Sequence, residues 1–256
     1  MAPRPAEESS RAQLAAEVQR LEKALEEEKR RTSEFLAQLA HELRNPLAPI
    51  LSGLEAMEIV GLDDPTLESL REVMQRQTGH LIRLVDDLLD VSRINHGRVA
   101  LDIERIDVAT IILRALESTR EFISEQRHDL AVKLPPDAMP VEADPVRLEQ
   151  VLVNLLNNAA RYSPPGSRIW LTSLRNDNEV VISVRDEGQG ITAEVLPRVF
   201  EPFFRGERAK QTSGNGLGIG LSVVRSLVEL HGGRVEALSD GPGRGSEFVV
   251  TLPLAK

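Results

Sequence analysis

Apolar side chains recur at alternating steps of four and three residues through Leu14, Val18, Leu21, Leu25, Phe35 and Leu39, and again through Leu43, Leu47, Ile50, Leu54 and Met57. This is a heptad seam, the period that keeps one stripe of an α-helix turned toward a partner helix. Glu28 and Thr32 occupy two of the seam positions, so the stripe weakens just before His41. Gly61-Leu62-Asp63-Asp64-Pro65 breaks the pattern, with Asp64 or Thr66 able to cap a second helix. The spacing then resumes through Leu67, Leu70, Met74, Gln77, Leu81, Leu84, Leu88 and Val91. Two long amphipathic helices joined by a short turn form an antiparallel hairpin. One hairpin carries a single stripe on each helix and cannot cover both. The pattern therefore predicts two copies paired in a four-helix bundle, a homodimer.

Beyond about Arg98 the period changes. Segments 99–104, 129–134, 168–175, 179–186, 233–239 and 246–252 read as strands, and 107–126, 145–162 and 217–231 as helices. Strand and helix patterns interleaved in this way predict helices packed on one face of a mixed sheet. The polar turn Asn95-His96-Gly97 is suited to a hinge between the two parts. The chain thus divides into a disordered start (1–10), a coiled-coil linker (11–32), a helical hairpin (33–96) and an α/β layer (97–256).

Bulk properties exclude several classes. A net charge of −9 argues against a nucleic-acid protein, which usually carries a basic face. The absence of cysteine removes disulfides and thiolate metal sites and fits a reducing compartment. No apolar run approaches the ~18 residues a membrane span requires. Nor does the start resemble a signal peptide. A soluble, cytoplasmic chain with no membrane segment of its own is expected.

His41-Glu42-Leu43-Arg44-Asn45-Pro46-Leu47 lies on the first seam helix. A helical residue turns by about 100°, so His41 falls far from seam residues Leu39 and Leu43 and is expected to face solvent, with Asn45 one turn on. An exposed neutral imidazole is a competent nucleophile, and a neighbouring carboxylate can hold the proton on its other nitrogen. Pro46 removes one helical hydrogen bond and can bend the helix locally. His80, His96, His128 and His231 have no comparable context. His231 stands where a helix ends before Gly232-Gly233, an ordinary position for a cation.

Downstream, Asn154 and Asn158 are four apart and share a helix face. Their amide oxygens suit Mg²⁺, a hard cation that takes oxygen donors. Asp186-Glu187-Gly188-Gln189-Gly190 comes after a strand, where an aspartate can accept from an adenine amino group and glycines let backbone approach a ligand. Phe200-Glu201-Pro202-Phe203-Phe204 holds three of the chain's six phenylalanines and reads as an apolar latch or a buried loop anchor. Next comes a polar stretch with Arg205, Arg208 and Lys210, natural phosphate partners. Gly216-Leu217-Gly218-Ile219-Gly220 then opens a helix, exposing backbone N–H groups to phosphate. The Gly-Lys-Ser/Thr end of a Walker loop and the βαβ unit of a dinucleotide fold are both missing.

Taken in order, these strings resemble the boxes of the sensor histidine kinases over residues from about 33 to 254. The resemblance implies a dimeric hairpin for dimerisation and histidine phosphotransfer, then an α/β-sandwich ATP-binding domain of Bergerat type. It makes His41 the phosphoacceptor, Glu42 the base, and Asn45 an aid to dephosphorylating a partner. Asn158 becomes the Mg²⁺ ligand, supported by Asn154. Arg161, standing where the family more often has lysine, faces phosphate, and Tyr162 faces adenine. Asp186 reads the base, with Gly188 and Gly190 beside it, and Gly216, Gly218 and Gly220 cradle phosphate. The implied reaction uses ATP and Mg²⁺ to phosphorylate His41 and passes the phosphoryl group to an aspartate of a response regulator. The coiled coil would then join a sensor domain or a partner. Two rivals share parts of the pattern: an ATP-hydrolysing relative, which carries a glutamate base where Asn154 stands, and a catalytically silent dimeric scaffold.

Overall fold

The first heptad stretch forms one helix, α1, from Pro5 to Ile59, and the second forms α2, from Thr66 to Asn95. The computed structural model describes residues 5–59, 66–95, 100–204, 206 and 217–255; in the long helices some side chains, those of His41 and Glu42 among them, lie outside the description. Residues 5–10, expected to be disordered, continue α1 toward its start. Proline is tolerated in a first helical turn. The helix also runs through Pro46 and Pro49. A proline nitrogen has no proton, so the carbonyls of Glu42 and Asn45 lose their helical donors.

The chain forms two compact units, Met1–Leu81 and Ile82–Lys256. In the first, Gly53 of α1 is buried, and a Cβ there would stand 3.0 Å from Cγ and Sδ of Met74 on α2. This close approach accounts for a glycine inside a helix, where it is otherwise unfavourable. Seam residues Leu43, Ile50, Met57, Leu70 and Met74 are half-buried. Leu47 and Leu54 remain 44% and 50% exposed, and Val18, Leu21 and Leu25 are exposed as well. A single chain leaves much of its stripe in water.

The second unit is built from β1 (Glu104–Asp107), α3 (Val108–Glu125), β2 (Asp129–Lys133), β3 (Pro140–Ala143), α4 (Pro145–Arg161), β4 (Arg168–Asn176), β5 (Glu179–Asp186), a 3₁₀ turn (Leu196–Arg198), α5 (Gly220–Leu230), β6 (Arg234–Leu238) and β7 (Glu247–Pro253). Five strands form a mixed sheet in the order β2-β4-β5-β7-β6, with β2 parallel to β4 and the other neighbours antiparallel. Alternate residues of three strands (Ile169 and Leu171; Val180, Ile182 and Val184; Phe248, Val250 and Leu252) are buried. The apolar stripes of α3, α4 and α5, exemplified by Ile111, Leu152, Leu155 and Leu227, are buried with them. Helices cover one face of the sheet, as the periodicity predicts.

Two details differ from the expectation. The first strand is at 104–107, not 99–104, because its partner sets its position: it pairs with β3 in a separate antiparallel ribbon, Ile106 opposite Val141. That partner, four residues opening on a proline, is too short for its period to register.

Helix ends join these layers. Asp107 Oδ1 accepts from Ala109 N–H at 3.0 Å and caps α3. Asp144 Oδ1 accepts from Val146 and Arg147 N–H, both at 3.1 Å, and caps α4, while Oδ2 accepts from Asp102 N–H at 3.1 Å. The backbone N–H of Asp144 donates to Nε2 of His231 at 3.0 Å. His231 is buried and donates from Nδ1 to Leu227 O at 2.7 Å. Its ring therefore accepts at one nitrogen and donates at the other, and is not the helix-end cation that its sequence position suggests. Replacing Asp144 with alanine removes a cap and strands three backbone donors. The expected loss is about 2–3 kcal/mol of stability in urea titration. A change below about 0.5 kcal/mol, the size of an ordinary surface substitution, would contradict this role.

Candidate functional site

Asp186 closes β5 at the end of the sheet and is buried. Its Oδ1 accepts from Gly188 N–H at 2.7 Å and from Ser246 N–H at 3.2 Å, and Oδ2 accepts from Ser246 Oγ at 2.6 Å. The backbone closes the same pair, Asp186 N–H donating to Ser246 O at 2.9 Å. Burial holds the Asp186 carboxyl above the ordinary aspartate range, opposed by hydrogen bonds from Ser246 and Gly188 and by the charge of Arg185. Oδ1 is taken up by two donors; Oδ2 keeps acceptor capacity for a ligand.

The 186–191 turn is closed against the loop 239–246. Gly243 N–H donates to Gln189 O at 2.7 Å and Gly245 N–H to Gly188 O at 3.1 Å. Ser239 Oγ accepts from Ile191 N–H at 2.9 Å and donates to Gly245 O at 2.7 Å. Three glycines are obligatory: a Cβ at Gly190, whose φ is +67°, would stand 2.0 Å from Gly241 O. A Cβ at Gly188 would stand 2.4 Å from Tyr162 O, and one at Gly245, whose φ is +71°, would stand 2.0 Å from Asp186 O. Ser246 and this loop are not recognisable as site elements from the motifs alone. The available signal is the alternation Gly241-Pro242-Gly243-Arg244-Gly245-Ser246 just before β7.

Helix α4 supplies the opposite wall. Asn154, Asn158 and Arg161 are half-buried along one side of it, while Leu155, Leu156 and Ala159 point into the core. Asn154 Nδ2 donates to Gly220 O at 3.5 Å, joining α4 to the first residue of α5 and leaving its own oxygen to a ligand. Tyr162, half-buried at the C-terminal cap, donates its N–H to Asn158 O at 3.0 Å, and its carbonyl accepts from Gln189 N–H at 3.0 Å. The end of α4 is thereby tied to the Asp186 turn.

Gly218 and Gly220 lead into α5. Unlike α3 and α4, this helix has no side-chain cap: its N-cap is Ile219, which makes no capping bond. Uncapped N–H groups at the positive end of a helix dipole suit an anion. Phe203 N–H donates to Gly218 O at 3.0 Å, and Phe200 packs edge-on against Phe248 of β7 with ring centroids 6.3 Å apart. The phenylalanine segment is thus anchored within its own unit. Arg205, Arg208, Lys210 and Gly216 lie outside the described residues. His41 and Glu42 are helical residues of α1 whose side chains lie outside them too, and Asn45 is half-buried one turn further on.

Among the described residues, no group of three or more His, Cys, Asp or Glu could hold a metal ion. The candidate oxygen donors on this side of α4 are the neutral amides of Asn154, which lies against Gly220 of α5, and Asn158. This set fits a Mg²⁺ that arrives with phosphate and water ligands of its own, not a resident metal in a protein cage. No helix among the described residues is long and apolar enough to cross a membrane.

Comparison with known proteins agrees with this geometry. Residues 31–97 match the model of the His Kinase A (phospho-acceptor) domain, and residues 143–256 that of the histidine kinase-, DNA gyrase B- and HSP90-like ATPases. The sensor protein KdpD of Clostridium acetobutylicum is 32% identical over 94% of this chain and 26% of its own length. The structure of the mycobacterial sensor histidine kinase MprB is similar at a TM-score of 0.52 and 30% identity, over 59% of this chain and 97% of that one. The histidine kinase ThkA, solved in complex with the response regulator protein TrrA, matches at a TM-score of 0.59 and 28% identity, over 87% of this chain and 61% of that one. The chain spans from about a quarter to about half of the length of the curated relatives it matches.

Asp186 gives this site a pH signature. Its raised pKa means that folding takes up a proton between the ordinary aspartate value and the raised one. Relative to Asp186→Asn, the unliganded protein should gain stability as pH falls through that interval. Nucleotide affinity should move the opposite way, because only the carboxylate accepts freely, and it should be lost at higher pH than for an ordinary aspartate. Calorimetric titration of ATP across pH 4–7 checks this; a wild-type profile parallel to that of Asp186→Asn would contradict it. Gly245→Ala should weaken nucleotide binding at all pH values, since its Cβ would displace the Asp186 backbone.

Proposed function

We propose, from the premise that the chain belongs to the sensor histidine kinases of two-component systems, that it phosphorylates His41 with ATP and passes the phosphoryl group to an aspartate of a response regulator. The observation that carries this reading is the base-and-phosphate cradle of the second unit: a buried carboxylate held from behind, and a helix start with no cap of its own, both tied to α4. Residues 33–96 are assigned to dimerisation and phosphotransfer, and 97–256 to nucleotide binding and catalysis.

In this reading Asp186 Oδ2 accepts from the adenine amino group and Tyr162 lies along the base. The triphosphate runs toward the N-terminus of α5, past Gly216, Gly218 and Gly220. Asn158, assisted by Asn154, holds Mg²⁺, which when bound draws charge from the phosphate oxygens. Arg161, with Arg205, Arg208 and Lys210, neutralises what remains. A ring nitrogen of His41 attacks the γ-phosphorus, the bond to the β–γ bridging oxygen breaks, and ADP leaves. Glu42 holds the proton on the other ring nitrogen, so the developing imidazolium charge is compensated. A receiver aspartate then attacks the phosphorus, the P–N bond breaks and His41 is restored. Asn45 positions water for the reverse task, hydrolysis of the receiver's acyl phosphate.

The uncovered seam, Leu47 and Leu54 above all, supports a homodimer. The exposed Val18, Leu21 and Leu25 extend it toward a sensor domain or a partner. Use of ATP as substrate supports a cytoplasmic reaction. Simple ATP hydrolysis is disfavoured because Asn154, an amide, cannot take a proton from water.

Incubation of the chain with γ-labelled ATP and Mg²⁺ tests this reading. Acid-labile, alkali-stable label is expected in the wild type and absent from His41→Gln. Glu42→Gln should label at least about 100-fold more slowly, the low end of what a positioned base contributes. Bound ATP without label would favour the silent scaffold. Label surviving in His41→Gln would overturn the assignment of His41.

A further inference from the structure

His231 is a buried histidine with no part in the nucleotide contacts described above. Its Nε2 accepts the Asp144 N–H at 3.0 Å, so the residue that ends α5 is bound to the residue that caps α4. The same end of α5 is fixed from a second side: Gly233 lies so close to β7 that a Cβ there would stand 2.3 Å from Thr251 O. The opposite end has a longer bond. There α5 starts without a side-chain cap, and Asn154 Nδ2 reaches Gly220 O at 3.5 Å, the limit of a hydrogen bond. Helices α4 and α5 run antiparallel between these two contacts, which lie about 15 Å apart. Asn158 stands one further turn along α4, about 6 Å beyond Asn154, and therefore ahead of the first N–H groups of α5.

We propose that His231 is a positioning residue for the metal and the phosphates: by accepting the Asp144 N–H it sets the register of α5 on α4, and with it the distance from the Asn158 amide to the helix start. The apolar contacts of Val224, Leu227 and Val228 bury surface but are non-directional, so they permit sliding. The hydrogen bond is directional and joins two buried groups, and leaving its donor unpaired is unfavourable, so it selects one register. A shift of α5 along α4 separates the two halves of the phosphate and metal site. The base side stays together, because Asp186, Gly188, Ser246 and Tyr162 are joined through bonds of their own. This rests on the reading that a nucleotide binds with its phosphates at the start of α5.

The test titrates the full chain with Mg²⁺–ATP and with adenosine, which offers the base but no phosphate, for wild type, His231→Gln and His231→Asn. Binding is followed by NMR, which also reads weak affinities, at a temperature where each protein is folded. A glutamine oxygen can take the place of Nε2 and keep the bond from Asp144. An asparagine amide reaches only as far as Nδ1 and keeps the bond to Leu227 O alone. Asparagine should bind Mg²⁺–ATP roughly fivefold more weakly and adenosine as wild type does, whereas glutamine should match wild type for both. A His231→Asn protein that unfolds at lower temperature but binds Mg²⁺–ATP like wild type has lost only stability, which would overturn the proposal. Equal losses for Mg²⁺–ATP and adenosine, or a glutamine variant as weak as the asparagine one, would overturn it too. Should His231→Asn fail to fold, the wild type decides, because coupling is reciprocal. Mg²⁺–ATP should slow hydrogen exchange of the Asp144 N–H more than adenosine does, and equal exchange with the two would overturn the proposal. A wild type that binds neither ligand would overturn the nucleotide reading itself, and this inference with it.

Discussion

The second unit is organised around one buried carboxylate. Asp186 sits at the end of β5, and Ser246 meets it with both its backbone and its hydroxyl just before β7 begins. That contact brings the 186–191 turn and the 239–246 loop together so tightly that neither Gly188 nor Gly245 has room for a side chain. The Gln189 N–H then reaches Tyr162 O and draws the end of α4 into the same cluster. Burial makes the charge on Asp186 unfavourable by itself, and three donors offset that, two on Oδ1 and one on Oδ2, which keeps acceptor capacity for a ligand. A carboxylate held in this way loses little by reorganisation when a base docks, which is the advantage of a preformed site.

The second constraint is the antiparallel pairing of α4 with α5. At one end Asp144, the cap of α4, gives its N–H to His231 at the close of α5. At the other, Asn154 reaches Gly220, where α5 begins. Two polar contacts about three turns apart set the mutual position of the helices, and Val223, Val224, Leu227 and Val228 fill the buried side of α5. The amide face of α4 and the uncapped start of α5 are consequently presented side by side. In the first unit the determinant is simpler: a seam too long for one chain to cover, on a helix whose hydrogen-bond ladder loses two donors at Pro46 and Pro49, just past His41.

Much of this is legible in the sequence because periodicity and glycine spacing are local signals. The seam marks both long helices, and the alternation of Val180, Ile182 and Val184 marks β5. The motifs single out Asp186, Asn154, Asn158 and the glycines of the α5 start without any coordinates. The features that escape detection depend on distant partners. The ribbon of β1 and β3 exists through Ile106 facing Val141, and neither strand is long enough to announce itself. Ser246 matters only because the fold sets it against a residue 60 positions earlier. His231 reads locally as a helix-end cation, and becomes an acceptor only when Asp144, 87 positions away, turns its N–H toward it.

The central claim is that the cradle between Asp186 and the start of α5 takes ATP with its base inward and its phosphates toward the helix. The most direct measurement is a crystal structure of the full chain with a non-hydrolysable ATP analogue and Mg²⁺. The adenine amino group should lie within hydrogen-bond distance of Asp186 Oδ2. The phosphates should lie against the N-terminus of α5, with the amide oxygen of Asn158 on the metal. A nucleotide seated elsewhere, or one whose base avoids Asp186, would contradict the account.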